Sequence, residues 1–311
     1  MKEKEWKVFW MVSVVREQSN TYGHELLDMR NDAVFKSFFG DPRNNKLLLN
    51  FLNAILHDTI ASVELTDTVL TLTHPDDKMS VMDIRVITNK GEQINVEIQL
   101  KNHAAFPERM LMYWAKMYTS QDKVGNEYIQ LNRAIQIIIT NFKLLPKVHF
   151  HSMFQLIDPE DGMVFTDHAE IHVLELPKLQ AQQLEDTDAL EKWLLFLNGN
   201  KYMKEALAME SPTMKEAFEE IQRLSDDPET RRIAEYRDSQ LRGQLQREYD
   251  ARKEGMEEGV RKGVEKGIEK GVVKRDKEIV LNMHAKQTPA TMIAELTGIG
   301  LDDVLRIIKT Q

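Results

Sequence analysis

At 311 residues, 42% of them hydrophobic, the chain has room for one sizeable core and an appendage. Its formal charge of −9 excludes a surface coated in nonspecific nucleic-acid contacts, so any such contact is local and salt-sensitive, with Lys36, Arg43, Lys46, Lys101, Arg109 and Lys116 as candidates. The lack of cysteine removes disulfides, thiol catalysis and cysteine-bound zinc and fits a cytoplasmic protein, while the apolar stretch from Phe9 to Val15 is too short to span a membrane and makes a poor signal peptide.

The first expected element is a helix from Asp32 to Phe39, with Asp32 suited to an N-cap ahead of Val34 and Phe35; a second runs from Arg43 to Leu56. A hairpin follows. In its second strand Gln93, Asn95, Glu97 and Gln99 are polar while Ile94, Val96, Ile98 and Leu100 are apolar, the period-two pattern of a half-buried strand. In its first, Val81 to Thr88, Asp83 and Arg85 hold odd positions and Ile84 and Val86 even ones, with Ile87 out of pattern. Loop length decides whether the two polar faces coincide, because a shift of one residue turns every side chain over. A three-residue loop, Asn89-Lys90-Gly91 with Gly91 left-handed, pairs Thr88 with Glu92 and sets Asp83 opposite Glu97, their Cβ atoms roughly 5 Å apart. A two-residue loop sends the carboxylates to opposite faces and buries polar side chains in the apolar layer, so the three-residue loop is predicted.

Two carboxylates that close repel, and one pKa rises unless a cation lies between them. Magnesium suits such a place, since it binds through one or two carboxylates plus waters and phosphate oxygens. It would lower the pKa of a water and neutralise charge on a phosphodiester. A solvated polar sheet face is the other reading of the same spacing.

Farther along, Pro107 opens a helix on which Arg109, Tyr113 and Lys116 share a face, either toward a nucleic-acid backbone or as ordinary surface ion pairs. From Arg133 to Phe142 the run Ala134, Ile135, Ile137, Ile138 and Ile139 predicts a central strand covered on both faces, and Val164 to Leu176 another strand. On that strand His168 and His172 stand roughly 13 Å apart, too far to share an ion; His149 and His151 are expected on one face of a single strand but lack a third ligand, so all four are read as structural. Leu184 to Tyr249 reads as charged helix, with Trp193, Leu194 and Phe196 as an apolar face for the core or a partner. Gly255, Gly259, Gly263, Gly267 and Gly271 recur every fourth residue, each followed by Met or an aliphatic residue. Each glycine costs a helix about 1 kcal/mol, so the ladder is either a helix supported by a second copy, giving a homo-oligomer, or a flexible linker. Two short amphipathic helices about Gly298 and Gly300 end the chain, and Asp302 and Asp303 on the second favour packing or assembly over phosphate contact.

Taken in order, Asn31-Asp32-Ala33-Val34-Phe35-Lys36-Ser37-Phe38-Phe39-Gly40, then Asp83, then Val96-Glu97-Ile98-Gln99, then Arg109-Met110-Leu111-Met112-Tyr113-Trp114-Ala115-Lys116-Met117-Tyr118, resemble the Rpn family of recombination-promoting nucleases, also described as PD-(D/E)XK nuclease family transposases. The resemblance runs from about Met29 to the C-terminus and takes in Glu175-Leu176-Pro177-Lys178-Leu179. It implies an α/β fold with a restriction-endonuclease-like core, a mixed central sheet flanked by helices, followed by a helical C-terminal region. It also implies Mg2+, or Mn2+, bound by Asp83, Glu97 and the backbone carbonyl of Ile98, with Asp32 as an auxiliary ligand and Arg109 and Tyr113 beside the site. Gln99 stands where many relatives have lysine; glutamine carries no charge and is no base, so it can only orient water or hydrogen-bond phosphate. The implied function is a metal-dependent DNA endonuclease in recombination or mobile-element biology. A catalytically weak DNA-binding or assembly protein and a DNA transposase are the alternatives. The expected division is an N-terminal extension over 1–28, a nuclease core over 29–180, a helical region over 181–250, the glycine ladder as helix or linker over 251–275 and a small helical module over 276–311.

Overall fold

A computed structural model describes residues 25–56, 59–68, 82–102, 105–122, 128–179 and 187–310; the Phe9 to Val15 stretch, Val81 and Leu184 lie outside them. The chain forms two compact units, Met1–Ser239 and Gln240–Gln311.

In the first unit, α1 (Asp32–Phe39) and α2 (Asn45–Leu56) precede β1 (Val63–Leu65), β2 (Ile84–Thr88) and β3 (Gln93–Gln99). Next come α3 (Phe106–Thr119), β4 (Ala134–Thr140), β5 (His151–Ile157) and β6 (Val164–Glu175), then α4 (Ala189–Asn198), α5 (Lys201–Glu210), α6 (Pro212–Asp226) and the first residues of α7 (Pro228–Ala285). The six strands are ordered β1-β2-β3-β4-β6-β5. β3, β4 and β6 are parallel neighbours and the remaining pairs antiparallel, so the sheet is mixed. Every residue of β4 is buried, as its apolar run predicts for a central strand.

The two faces of the sheet differ. Ile84 and Val86 of β2, Ile94, Val96 and Ile98 of β3, Ile135, Ile137 and Ile139 of β4 and Leu174 of β6 join one large core with α1, α2, α4 and α6. Its centre is aromatic: Phe39 stacks on Phe51 at 5.0 Å and lies 5.7 Å from Trp193, whose indole N–H donates to Asn50 Oδ1 at 2.8 Å. Trp193, Leu194 and Phe196 therefore serve the core of this unit. The other face is covered by α3, through Phe106 and Met110 against Ile138 and Val173, and through Met117 against Ala134 and Met82. The polar, odd-numbered residues of the hairpin lie on this α3 side.

Local differences from expectation have simple causes. Asn31, with extended backbone, caps α1 by accepting from the amides of Ala33 and Val34, which leaves Asp32 as the first helical residue. Pro42–Asn44 forms a separate 3-10 turn capped by Asp41, so the second helix begins at Asn45. His149 precedes β5, which begins at His151.

In the second unit α7 continues as helix through all five ladder glycines, and α8 (Ala290–Thr297) and α9 (Leu301–Lys309) follow. Val280, Ile293 and Val304 form a small core there, and Gly298 supplies the left-handed residue, at φ 72°, that ends α8. Among the described residues no helix is long and apolar enough to cross a membrane.

A candidate metal centre on the β2–β3 hairpin

The hairpin has the three-residue loop that the alternation requires. Thr88 donates its amide to the Glu92 carbonyl at 2.9 Å, and Gly91 turns the chain at φ 83°. A side chain at Gly91 would be strained by that φ and would meet the Asn132 amide at 3.0 Å. The ladder pairs Ile87 with Gln93, Arg85 with Asn95 and Ile84 with Val96, so the next step sets Asp83 across from Glu97. Direct contacts agree: the Asp83 amide donates to Glu97 Oε1 at 3.3 Å, and the Ile98 amide donates to Asp83 Oδ2 at 3.0 Å.

Both carboxylates are buried, with Asp83 8% and Glu97 2% exposed. Burial, and after it the charge of Asp83, pushes the Glu97 carboxyl up to about 8. Opposing this are a hydrogen bond from Asn95 Nδ2 to Glu97 Oε1 at 3.1 Å, the Asp83 amide, and the ammonium of Lys36, which reaches from α1 to 2.9 Å from Asp83 Oδ1. They do not offset it.

The other polar residues form a scaffold around the pair. Arg109 donates to Gln99 Oε1 at 2.8 Å, and because a guanidinium can only donate, the Gln99 carboxamide turns its NH2 toward Glu97 Oε2, 3.2 Å away. Tyr113 faces the same charges, and burial together with Glu97 and Asp83 raises its hydroxyl, keeping it protonated. Asn95 also donates to Gln136 Oε1 of β4 at 3.0 Å, while Asn95 Oδ1 and Gln136 Nε2 are buried without a hydrogen bond. Asp32 lies elsewhere: its Oδ2 is 3.7 Å from Arg237 Nε, and among the described residues no hydrogen bond joins it to Asp83 or Glu97. Lys36, one helical turn on from Asp32, is the α1 residue that meets the pair. Lys36, Asn95 and Gln136 were not assigned to the site from sequence. The available signals were the four-residue spacing from Asp32 to Lys36, the polar parity of Asn95 and the single amide inside the apolar run of β4.

These residues fit a hard divalent cation. The donors are oxygens only, the nearby ammonium of Lys36 is paired with Asp83, and burial beside Asp83 disfavours the charged form of Glu97, which a divalent cation would favour. Among the described residues no group of three or more histidine, aspartate or glutamate side chains is placed to hold a metal, so an ion at the pair would need the Ile98 carbonyl, water or substrate to complete its shell. His151, His168 and His172 have other partners. His172 Nδ1 lies 2.8 Å from His151 Nε2 and its Nε2 2.7 Å from Glu170 Oε1, while His168 Nδ1 lies 3.0 Å from the Tyr118 hydroxyl.

No curated protein and no solved structure matches the chain. The family model described as PD-(D/E)XK nuclease family transposase matches residues 29–246, and the chain belongs to that family.

Proposed function

We propose that the protein is a Mg2+-dependent DNA endonuclease, with Mn2+ as a substitute, that hydrolyses phosphodiester bonds at the Asp83–Glu97 pair. The observation that carries this reading is the buried, mutually repelling pair on one hairpin face, with Glu97 raised to about 8. Asp83 and Glu97 would hold the ion, with the Ile98 carbonyl on the edge of β3 whose amide already meets Asp83. A divalent ion held there supplies neutralisation of phosphate charge and a water of lowered pKa. Asn95 and Gln99 hold the two oxygens of Glu97, and Arg109 holds Gln99, so the carboxylate is aimed before substrate arrives. Tyr113, protonated and beside the carboxylates, can donate to a phosphate oxygen.

Purified protein should nick supercoiled plasmid only with Mg2+ or Mn2+, and Asp83→Ala and Glu97→Ala should each abolish nicking. Equal cleavage by wild type and both variants would sink the assignment. A second reading, a nuclease-fold protein that binds DNA without turnover, is favoured by Gln99, whose two polar ends are both engaged within the protein. Metal binding without any nicking would select it.

Self-association through α7 belongs to the same proposal. Met256, Val260, Val264, Ile268 and Val272 are exposed beside glycines that have nothing within 4 Å of an added Cβ, which leaves room for close approach by a second copy. Sedimentation of a chain carrying Val264→Glu and Ile268→Glu should show a lighter species than wild type.

A further inference from the structure

The cation at the carboxylate pair comes from outside the hairpin. Lys36 stands on α1, whose position is fixed by the buried Phe35, Phe38 and Phe39. The Asn31 cap is also tied, donating to Ala234 O at 3.0 Å and Asp238 Oδ1 at 2.7 Å. The helix is anchored while the lysine stem is not: 32% of the Lys36 side chain is exposed, and its four-carbon chain can rotate. Lys36 takes Asp83 Oδ1 and the Ile98 amide takes Oδ2, so the ammonium occupies one oxygen and leaves the backbone contact intact. An ammonium is a strongly hydrated point charge without the fork geometry that locks arginine to a carboxylate, and it can leave without breaking a bidentate pair. Gln99 brings no charge to a phosphate, and the Arg109 contact to Gln99 commits part of that guanidinium to the protein.

On the reading of Asp83 and Glu97 as metal ligands, we propose that Lys36 is an exchangeable counter-ion: it holds Asp83 Oδ1 in the metal-free protein, yields that oxygen to a divalent cation, and then neutralises a phosphate oxygen of the bound DNA. Lys36 thereby does for the substrate what the uncharged Gln99 cannot. Metal and DNA binding become coupled through one side chain, and the coupling is reciprocal.

Two measurements on the full chain test this. In calorimetric titration with Mn2+, Lys36→Gln should bind the ion about fivefold more tightly than wild type, because the competing ion pair is gone. Asp83→Asn should lose binding. In duplex-DNA binding across a salt series, with Ca2+ in place of Mg2+ to keep the duplex intact, Lys36→Gln should show a log K against log salt slope shallower by about one. Without a divalent ion its slope should equal that of wild type. Lys36→Met, similar in length and uncharged, replaces the glutamine variant if thermal unfolding shows the latter to be misfolded. If Asp83→Asn binds Mn2+ as wild type does, the metal-site reading itself fails. If Asp83→Asn loses binding but Lys36→Gln binds no tighter than wild type, the exchange is overturned and Lys36 is a fixed partner of Asp83. An unchanged salt slope in Ca2+ overturns the phosphate contact.

Discussion

Two buried glutamates flank the central strand, Glu97 on β3 and Glu170 on β6, and the protein treats them in opposite ways. Burial alone would raise both. Glu170 is nevertheless held down at about 2, because His172 and Arg133 hydrogen-bond to it and Arg133 adds a full positive charge. Glu97 is buried among amides and beside another carboxylate, with the nearby ammonium of Lys36 paired to Asp83, and it rises to about 8. The first arrangement is complete as it stands and belongs to the architecture of the sheet. The second leaves the charged form of Glu97 disfavoured, a bias that a divalent cation would reverse, and that makes it the candidate for chemistry.

The largest effect that could break this contrast is on cleavage. Glu97→Gln should lower plasmid nicking on the order of 10^3-fold, whereas Glu170→Gln should leave the rate of the folded fraction within a few-fold of wild type. Comparable losses in both variants, with both folded, would erase the distinction. Stability should move the other way. In the metal-free protein Glu170→Gln should cost about 2 kcal/mol by urea unfolding, less than for a fully buried pair because 24% of the Arg133 side chain stays exposed, while Glu97→Gln should stabilise above neutral pH.

The pH dependence sharpens the same comparison. Glu97 has a raised folded pKa, so its favourable contribution is complete below the ordinary value of 4.5 and is lost as pH climbs to about 8. Glu170 has a depressed one, so its contribution is present above 4.5 and is lost as pH falls toward about 2. Melting temperatures measured in EDTA should therefore fall toward pH 8 in wild type, and Glu97→Gln should flatten that limb alone. Glu170→Gln should flatten only the acid limb.

Smaller effects are expected from the supports. Asn95→Ala removes the amide that holds Glu97 Oε1 and should weaken Mn2+ affinity by about 10- to 100-fold, read by calorimetry. Least of all, Gly263→Ala should strengthen α7 of the dissociated chain locally by about 1 kcal/mol, since nothing in its own chain lies within 4 Å of the added methyl, and should leave the nicking rate at the wild-type level. Circular dichroism melting and the plasmid assay together check it.

The hairpin was legible from residues alone because two constraints met in it. Alternation in Gln93 to Gln99 named the polar face, and loop parity then required Asn89-Lys90-Gly91 to place Asp83 beside Glu97. The central position of β4 was legible for a similar reason, an apolar run with no polar face. Lys36 as the counter-ion of Asp83 was not: the two are 47 residues apart in sequence, and nothing local to either selects the other. Arg109 was legible as a site neighbour, but its grip on Gln99 depends on where α3 settles across the sheet. His172 read as structural, yet its partner His151 comes from a neighbouring strand whose register no local pattern sets.

The sequence by itself determined which carboxylates share a face, which strand lies at the centre and which family the motifs resemble, because periodicity, loop parity and residue order act over short stretches of chain. Only the tertiary structure decided how the buried glutamates Glu97 and Glu170 titrate. Identical glutamates differ because one is packed against Arg133 and His172 and the other against Asp83 and neutral amides, and a pKa is set by what surrounds a group in space.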